Sequence, residues 1–245
     1  MIQTCYTVPL RGLSRKMKVA QVSDLHNGRF DRLLASLDAA APDLVCVTGD
    51  FLDRKTRTER GFAFLSASAT RYPTFVSLGN HEMKTGLFRG ELATRIEKTG
   101  ATLLDNTSTS FQGLLIGGLS SGYAPGEKQG RWKTPPPPDL SFLDRFAAVD
   151  APKILLCHHP EYYEPYLCRR AIPLILSGHA HGGQWRIFGR GVFAPGQGLF
   201  PRYTSGLYDG RLVVSRGLCQ THRYIPRLFN SRELVLLTLL PEGEK

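Results

Sequence analysis

Three times from Lys18 onward a short apolar run leads into a polar tip and then into a helical pattern. Lys18-Val19-Ala20-Gln21-Val22 runs into Ser23-Asp24-Leu25-His26, and a helix is predicted over about Phe30 to Ala40 from Leu33, Leu34 and Leu37. Asp43-Leu44-Val45-Cys46-Val47-Thr48 ends in Gly49-Asp50-Phe51-Leu52-Asp53, with a helix expected from about Glu59 to Thr70. Thr74-Phe75-Val76-Ser77-Leu78 ends in Gly79-Asn80-His81-Glu82. Short continuous apolar runs suit strands covered on both faces. Alternating with helices, they are the signature of βαβ units and a largely parallel sheet. The polar tips then lie at strand C-terminal ends, where open α/β sheets place their sites.

The same residue types recur downstream. A helix is expected over about Gly90 to Thr99, closed by Gly100, then short strands near Thr107–Phe111 and Leu114–Gly118. Ser120 to Asp139 contains Gly122, Pro125, Gly126, Gly130 and four consecutive prolines, and reads as a long surface loop. Lys153-Ile154-Leu155-Leu156-Cys157 ends at His158-His159-Pro160, and Ile172-Pro173-Leu174-Ile175-Leu176 leads to Ser177-Gly178-His179-Ala180-His181. In extended backbone, His179 and His181 would put both imidazoles on one side of the chain. A hairpin around Asp209-Gly210 and a last strand from Glu233 to Leu240 are expected to complete a second sheet. Nothing marks a domain boundary, so residues 1–245 are expected to form one domain.

Five tips thus carry Asp24/His26, Asp50/Asp53, Asn80/His81, His158/His159 and His179/His181. Each pair alone is equally compatible with an ordinary turn, since Asp and Asn favour turns anyway. Together, if their strands share a sheet, they converge on one rim. A cluster of acids and imidazoles has little structural purpose without a cation to hold. It suits two adjacent metal ions.

Composition narrows the partners. Five cysteines, an odd number without metal-type spacing, and the apolar settings of Cys46 and Cys157 point to buried thiols and a reducing compartment. No basic segment followed by an apolar stretch opens the chain and no run is long enough to span a bilayer, so a cytoplasmic location is expected. The formal charge of +10 favours anionic partners. With no RNA-binding motif, zinc knuckle or heptad, specific nucleic-acid binding is not expected.

The blocks Asp24-x-His26, Gly49-Asp50-x-x-Asp53, Gly79-Asn80-His81-Glu82, His158 and Gly178-His179-x-His181 resemble the calcineurin-like metallophosphoesterase superfamily, in its order. His181-Gly182-Gly183-Gln184, Ala194-Pro195-Gly196, Ser215-Arg216-Gly217 and Arg227-x-Phe229-Asn230-x-x-Glu233-Leu234 are further similar to the YkuE/YaeI-like bacterial phosphodiesterases. The resemblance implies a four-layer αββα sandwich of two mixed β-sheets flanked by helices, with a dinuclear metal site at the strand ends. It implies that Asp24, His26 and His181 hold one metal, that Asn80, His158 and His179 hold the other, and that Asp50 bridges them. His81 would face the phosphate as a catalytic group, with Asp53 orienting its ring. His158 is preferred to His159 because it stands at the strand end. Arg54 follows Asp53 without a second matching arginine, so the resemblance points away from protein phosphatases.

Two divalent ions can share a hydroxide, lower its pKa and present it in line to phosphorus. Mixed Asp/Asn/His ligation suits Mn, Fe or Zn. The expected function is therefore a metal-dependent phosphodiesterase acting on a small-molecule or lipid-linked phosphoester. The alternatives are a pyrophosphohydrolase of a UDP-diacylglucosamine-like lipid precursor and a non-catalytic scaffold that keeps the fold. Arg186, Arg190, Arg202, Arg211, Arg216, Arg223, Arg227 and Arg232 are interleaved with Trp185, Phe188, Phe193, Phe200, Tyr203 and Tyr224. That stretch is either a solvated basic face over core aromatics or a basic, partly apolar rim making peripheral contact with an anionic membrane on its inner face.

Overall fold

The repeated strand ends are gathered by two facing six-stranded sheets. The protein is described here by a computed structural model covering residues 1–53, 58–85, 87–124, 127, 134–219 and 226–243. The strands are β1 (Ile2–Leu10), β2 (Met17–Val22), β3 (Leu44–Thr48), β4 (Thr74–Ser77), β5 (Thr102–Leu103), β6 (Thr107–Phe111), β7 (Leu114–Leu119), β8 (Lys153–Cys157) and β9 (Leu174–Ser177). Two small hairpins follow, β10 (Arg186–Ile187) with β11 (Arg190–Gly191), and β12 (Phe193–Ala194) with β13 (Gly198–Leu199). The last strands are β14 (Gly206–Tyr208), β15 (Leu212–Val214) and β16 (Glu233–Pro241). The helices are α1 (Asp31–Ala40), α2 (Glu59–Ala69), α3 (Asn80–Met83), α4 (Arg89–Glu97) and α5 (Leu140–Ala148).

The first sheet has the order β1-β16-β2-β3-β4-β5 and the second β14-β15-β9-β8-β7-β6. Both are mixed: β2 to β5 run parallel, as do β7, β8, β9 and β15, while β16, β6 and β14 supply antiparallel pairings. Three apolar layers hold the sheets. Val19, Leu44 and Cys46 of the first sheet meet Ile154, Leu156, Leu174 and Leu176 of the second between them. The alternate residues Ala20, Val22, Val45 and Val47 point outward under α1, α2 and α4, against Leu33, Leu37, Phe64, Leu92 and Ile96. On the far side Phe142, Leu143 and Phe146 of α5 cover Leu155, Ile175 and Val214. Period-two alternation between two apolar layers is why β2 and β3 read as unbroken hydrophobic runs. The result is the α/β/β/α four-layer sandwich.

Several expectations need correction. The five tips do not come from one sheet; β2, β3 and β4 supply three from the first and β8 and β9 supply two from the second. The last strand does not join the second sheet. It lies between β1 and β2, parallel to the former and antiparallel to the latter, with Leu237 opposite Val19. An apolar run buried on both faces fits either sheet, so its sequence alone cannot choose. Ile2–Leu10, for which the sequence predicts no element, form β1, an edge strand that buries only Val8 and Leu10. Gly79 is followed at once by one turn of helix, α3, ahead of the expected helix, which is α4. Within the Ser120–Asp139 loop, residues 125–126 and 128–133 lie outside the described residues, as do Arg54, Arg223 and Tyr224. Cys46, Cys157 and Cys219 are buried free thiols.

Candidate metal centre

Three of the five tips bend sharply just beyond their strands. Asp24, His26, Asp50, His179 and His181 all have left-handed backbone, with φ between 46° and 64°. The extended backbone expected around His179-Ala180-His181 is therefore absent, and the two rings diverge. His179 Nδ1 lies 3.2 Å from His158 Nε2, whereas His181 Nε2 lies 3.3 Å from Asp24 Oδ1. Non-glycine residues rarely take this conformation, and it clusters at functional sites because the surroundings must hold it in place. Here main-chain bonds do so. The Asp24 N–H donates to Gly49 O at 3.2 Å and the His26 N–H to Asp50 O at 3.0 Å, extending the contact between β2 and β3 past the strands.

Close approach of the two sheets needs glycine at two points. A Cβ on Gly49 would sit 2.9 Å from His158 Nδ1, and one on Gly178 would sit 1.8 Å from Ser23 Oγ. Gln21 links the sheets just beneath, its amide donating to Ser177 O at 2.8 Å. The cluster is thus pinned across the interface between sheets.

Asp50 is its centre. Oδ1 accepts the His81 N–H at 2.8 Å, while Oδ2 lies 3.2 Å from His158 Nε2, 3.7 Å from His26 Nε2 and 3.9 Å from His81 Nε2. Asn80 Oδ1 is 3.2 Å from His158 Nε2. Asp24, His26 and Asp50 offer ligand atoms all within 4.8 Å of one another, and so do Asp50, His158 and His179. The two groups share Asp50. His181 adjoins the first through Asp24, and Asn80 the second through His158. All seven sequence-predicted ligand positions are brought together, and His81 stands beside them with Nδ1 3.3 Å from Asp53 Oδ1.

The donor set fits cations. His158 Nδ1 donates to Thr48 O at 2.8 Å, which turns the Nε2 lone pair toward the oxygens of Asp50 and Asn80. Lone pairs facing each other at 3.2 Å repel unless a proton or a metal ion stands between them. Burial opposes charge on His158, yet the Asp50 carboxylate raises its pKa to about 10. Burial also opposes charge on Asp50, but the imidazoles of His158 and His81 hold it well below the usual carboxylate range. Burial pushes Asp24 up to about 6 and lowers His26 to about 3, and it holds His179 and His181 well below the ordinary imidazole value. Neutral imidazole is the form that binds metals. His26 Nε2, His179 Nε2 and His181 Nδ1 are buried and make no hydrogen bond among the described residues.

His159, the alternative at the fourth tip, packs its ring against His179 with centroids 4.5 Å apart, and its nitrogens go to other partners, Nε2 2.8 Å from Ser121 Oγ and Nδ1 3.2 Å from Glu161 Oε1. Glu161 also lies 3.5 Å from His179 Nε2, on the side away from His158. Supporting residues of this kind had no role in the sequence reading. Glu82 stood in a quoted block, and its buried carboxylate accepts the N–H groups of Asp50, Leu52 and Gly79. Asn230 donates to His181 O at 2.7 Å and to Gln184 O at 3.0 Å, bracing that turn. Cys219 closes the cluster beside His26 and His181. For Glu161 and Cys219 no sequence signal existed, because only the fold brings them near.

The sequence model of the calcineurin-like phosphoesterase family matches residues 17–183, a stretch that holds every tip from Asp24 to His181. The chain belongs to that family. It is 30% identical over 221 residues to the phosphodiesterase YaeI of Escherichia coli K12, covering 82% of this chain and 74% of that protein. It is also 29% identical over 250 residues to an uncharacterized metallophosphoesterase of Campylobacter jejuni, covering 97% of this chain but 62% of the relative's length. In fold it resembles a dimetal phosphatase from Danio rerio, at a TM-score of 0.51 and 11% identity over 82% of this chain and 87% of that one.

Proposed function

We propose that residues 1–245 act as one catalytic unit that hydrolyses phosphodiesters with two divalent metal ions. Asp24, His26 and His181 would hold one ion, Asn80, His158 and His179 the other, and Asp50 would contact both. When bound, such ions activate water and neutralise charge on the phosphoryl oxygens. Mixed oxygen and nitrogen donors favour Mn, Fe or Zn over sites built on thiolate. The observation that carries the reading is the pair of ligand groups sharing Asp50.

The chain's own residues supply the rest. His81 is the most accessible imidazole of the cluster, with a quarter of its side chain exposed. Burial works against its charge, but Asp50 and Asp53 raise its pKa above the ordinary value. A protonated ring there can donate a hydrogen bond to a phosphoryl oxygen or a proton to the departing one. Asp53 orients the ring through Nδ1. The choice of diester is supported by the name of the Escherichia coli relative. A second reading, pyrophosphate cleavage in a nucleotide-linked lipid, is supported by the exposed apolar turns at Phe188 and Phe229 near His181. A scaffold role is disfavoured by the intact set of side chains.

The test is hydrolysis of bis-p-nitrophenyl phosphate, p-nitrophenyl phosphate, cyclic nucleotides and nucleotide-diphosphate lipids with added Mn²⁺. Diester cleavage that exceeds monoester cleavage supports the proposal. No metal in the purified protein together with no Mn²⁺-stimulated hydrolysis overturns it.

A further inference from the structure

Three phenylalanines stand at turn tips with their rings in solvent. Phe188, Phe200 and Phe229 are 101%, 80% and 90% exposed. Each also has left-handed backbone, with φ of 48°, 50° and 51°. Either feature alone is uncommon for phenylalanine, and the same three residues combine both. In the hairpin of β10 and β11, Ile187 pairs with Arg190, so Phe188 and Gly189 form a two-residue turn with positive φ at both positions. Asn or Asp followed by Gly suits that turn; a bulky ring does not. At these exposures the rings contribute little to packing among the described residues.

The tips are neighbours. Phe188 and Phe229 line one hollow with Arg186 and Arg216. Across the same hairpin, Phe200 lines a second hollow with Arg186, Arg190 and Arg202. Ile187, Leu199, Trp185 and Leu228 add further exposed apolar surface. The whole face is anchored on the metal centre: Arg186 donates to Gly182 O at 2.9 Å, and Asn230, next to Phe229, donates to His181 O. The aromatics expected as core under a basic face are therefore corrected in part, since Tyr203 is buried while Phe188 and Phe200 are not. Two of the arginines are half-buried and spend their donors on main-chain carbonyls. Arg211 donates to Cys168 O and Arg170 O, and Arg227 to Arg216 O and Cys219 O. Arg202 pairs with Glu164, while Arg190 lies exposed between the tips.

We propose that these phenylalanine tips and the arginines between them dock the protein onto an anionic lipid bilayer, with the metal centre beside the contact. Separate protruding rings can enter the boundary between headgroups and acyl chains, while arginines remain at the phosphates. The formal charge of +10 adds long-range attraction to such a surface. A bilayer contact accounts for convex apolar tips, where a protein interface would favour a continuous packed patch. That the substrate is a phosphoester of an amphiphile held in this bilayer rests on the proposed function; the docking itself does not.

The test is co-sedimentation with vesicles of phosphatidylglycerol and phosphatidylcholine, against phosphatidylcholine alone, at low and high salt. The Phe188→Asn/Phe229→Asn double variant is compared with the wild-type protein and with Arg190→Glu. Asn tolerates left-handed backbone, so the double variant should melt no lower than wild type. It should lose about tenfold or more of its binding to anionic vesicles, as expected for two rings kept out of an apolar phase. Arg190→Glu and high salt should weaken binding too, and cleavage of a soluble diester should be unchanged in both variants. Equal binding by wild type and double variant, or no vesicle binding at all, overturns the proposal. So does a wild-type dimer in size-exclusion chromatography that the double variant abolishes, which would assign the face to a second copy. Vesicle binding without any hydrolysis would keep the docking and refute the phosphoesterase reading instead.

Discussion

Replacing Glu82 by Gln probes how the strand ends are held. Its Oε2 accepts the N–H groups of Asp50 and Gly79, both at 2.8 Å, and Oε1 accepts that of Leu52 at 2.9 Å. Gly79 caps α3 and has no side chain to return the bond, so the carboxylate ties the tips of β3 and β4 together, beside the bond from the His81 N–H to Asp50 Oδ1. An amide nitrogen cannot accept a hydrogen bond. In either amide orientation at least one buried N–H group loses its acceptor, at a cost of about 1–3 kcal/mol. The surviving bonds weaken as well, because their acceptor is no longer charged. In a chain of this size 1 kcal/mol shifts Tm by about 2–4 °C, so Glu82→Gln should lower Tm by roughly 2–12 °C. Glu82→Ala, which orphans three donors, should cost roughly 3 kcal/mol or more. Burial and the neighbouring Asp50 charge push Glu82 up to about 7, so melting is followed about a unit above that, where the carboxylate is ionised. The assay is circular dichroism melting in chelator, which separates the hydrogen bonds from bound metal, followed by metal analysis. A Glu82→Gln protein that melts within about 1 °C of wild type would refute the tie.

Asp50→Asn should lower occupancy of both metal positions together with activity, checked by elemental analysis and Mn²⁺-dependent hydrolysis. Loss from one position alone would show that Asp50 is not shared. His81→Ala should leave metal content nearly intact and lower kcat by about 10²–10⁴, with Asp53→Asn milder; a stripped metal would mean His81 is a ligand. Chelation should lower Tm, by the equivalent of about 2.7 kcal/mol for metal held at a hundred times its Kd, because the buried acids and imidazoles then lose their cation. Asp139 accepts the Phe142 N–H at 2.9 Å as the N-cap of α5, so Asp139→Ala should cost about 1 kcal/mol in denaturant unfolding. That bond holds the Asp139 carboxyl below its usual value. Its contribution is therefore present above the unfolded-state pKa and lost as the pH falls through the folded-state one.

What could be read from the chain alone was whatever repeats locally. Short apolar runs of the right length marked β2, β3, β4, β8 and β9, because strands buried on both faces need no polar residues. The first acid, amide or imidazole after each run named Asp24, Asp50, Asn80, His158 and His179, because parallel strands within each sheet end on the same side. Even the preference for His158 over His159 needed only the position of the strand end. Tertiary structure decided the rest. The left-handed turns at Asp24, His26, Asp50, His179 and His181 send His179 and His181 to different partners, against the extended backbone that spacing suggested. Such conformations are unfavourable locally and persist because main-chain bonds between β2 and β3, together with contacts across the two sheets, hold them. The place of β16 beside β2 depended on which edge was open, a global property that an apolar run does not encode. Glu161 and Cys219 became neighbours of the site through packing between residues far apart in the chain. Whether an aromatic is core or surface was equally a matter of tertiary structure: Tyr203 and Phe200 lie three residues apart, one buried and one in solvent, because only one of them faces a layer that other elements complete.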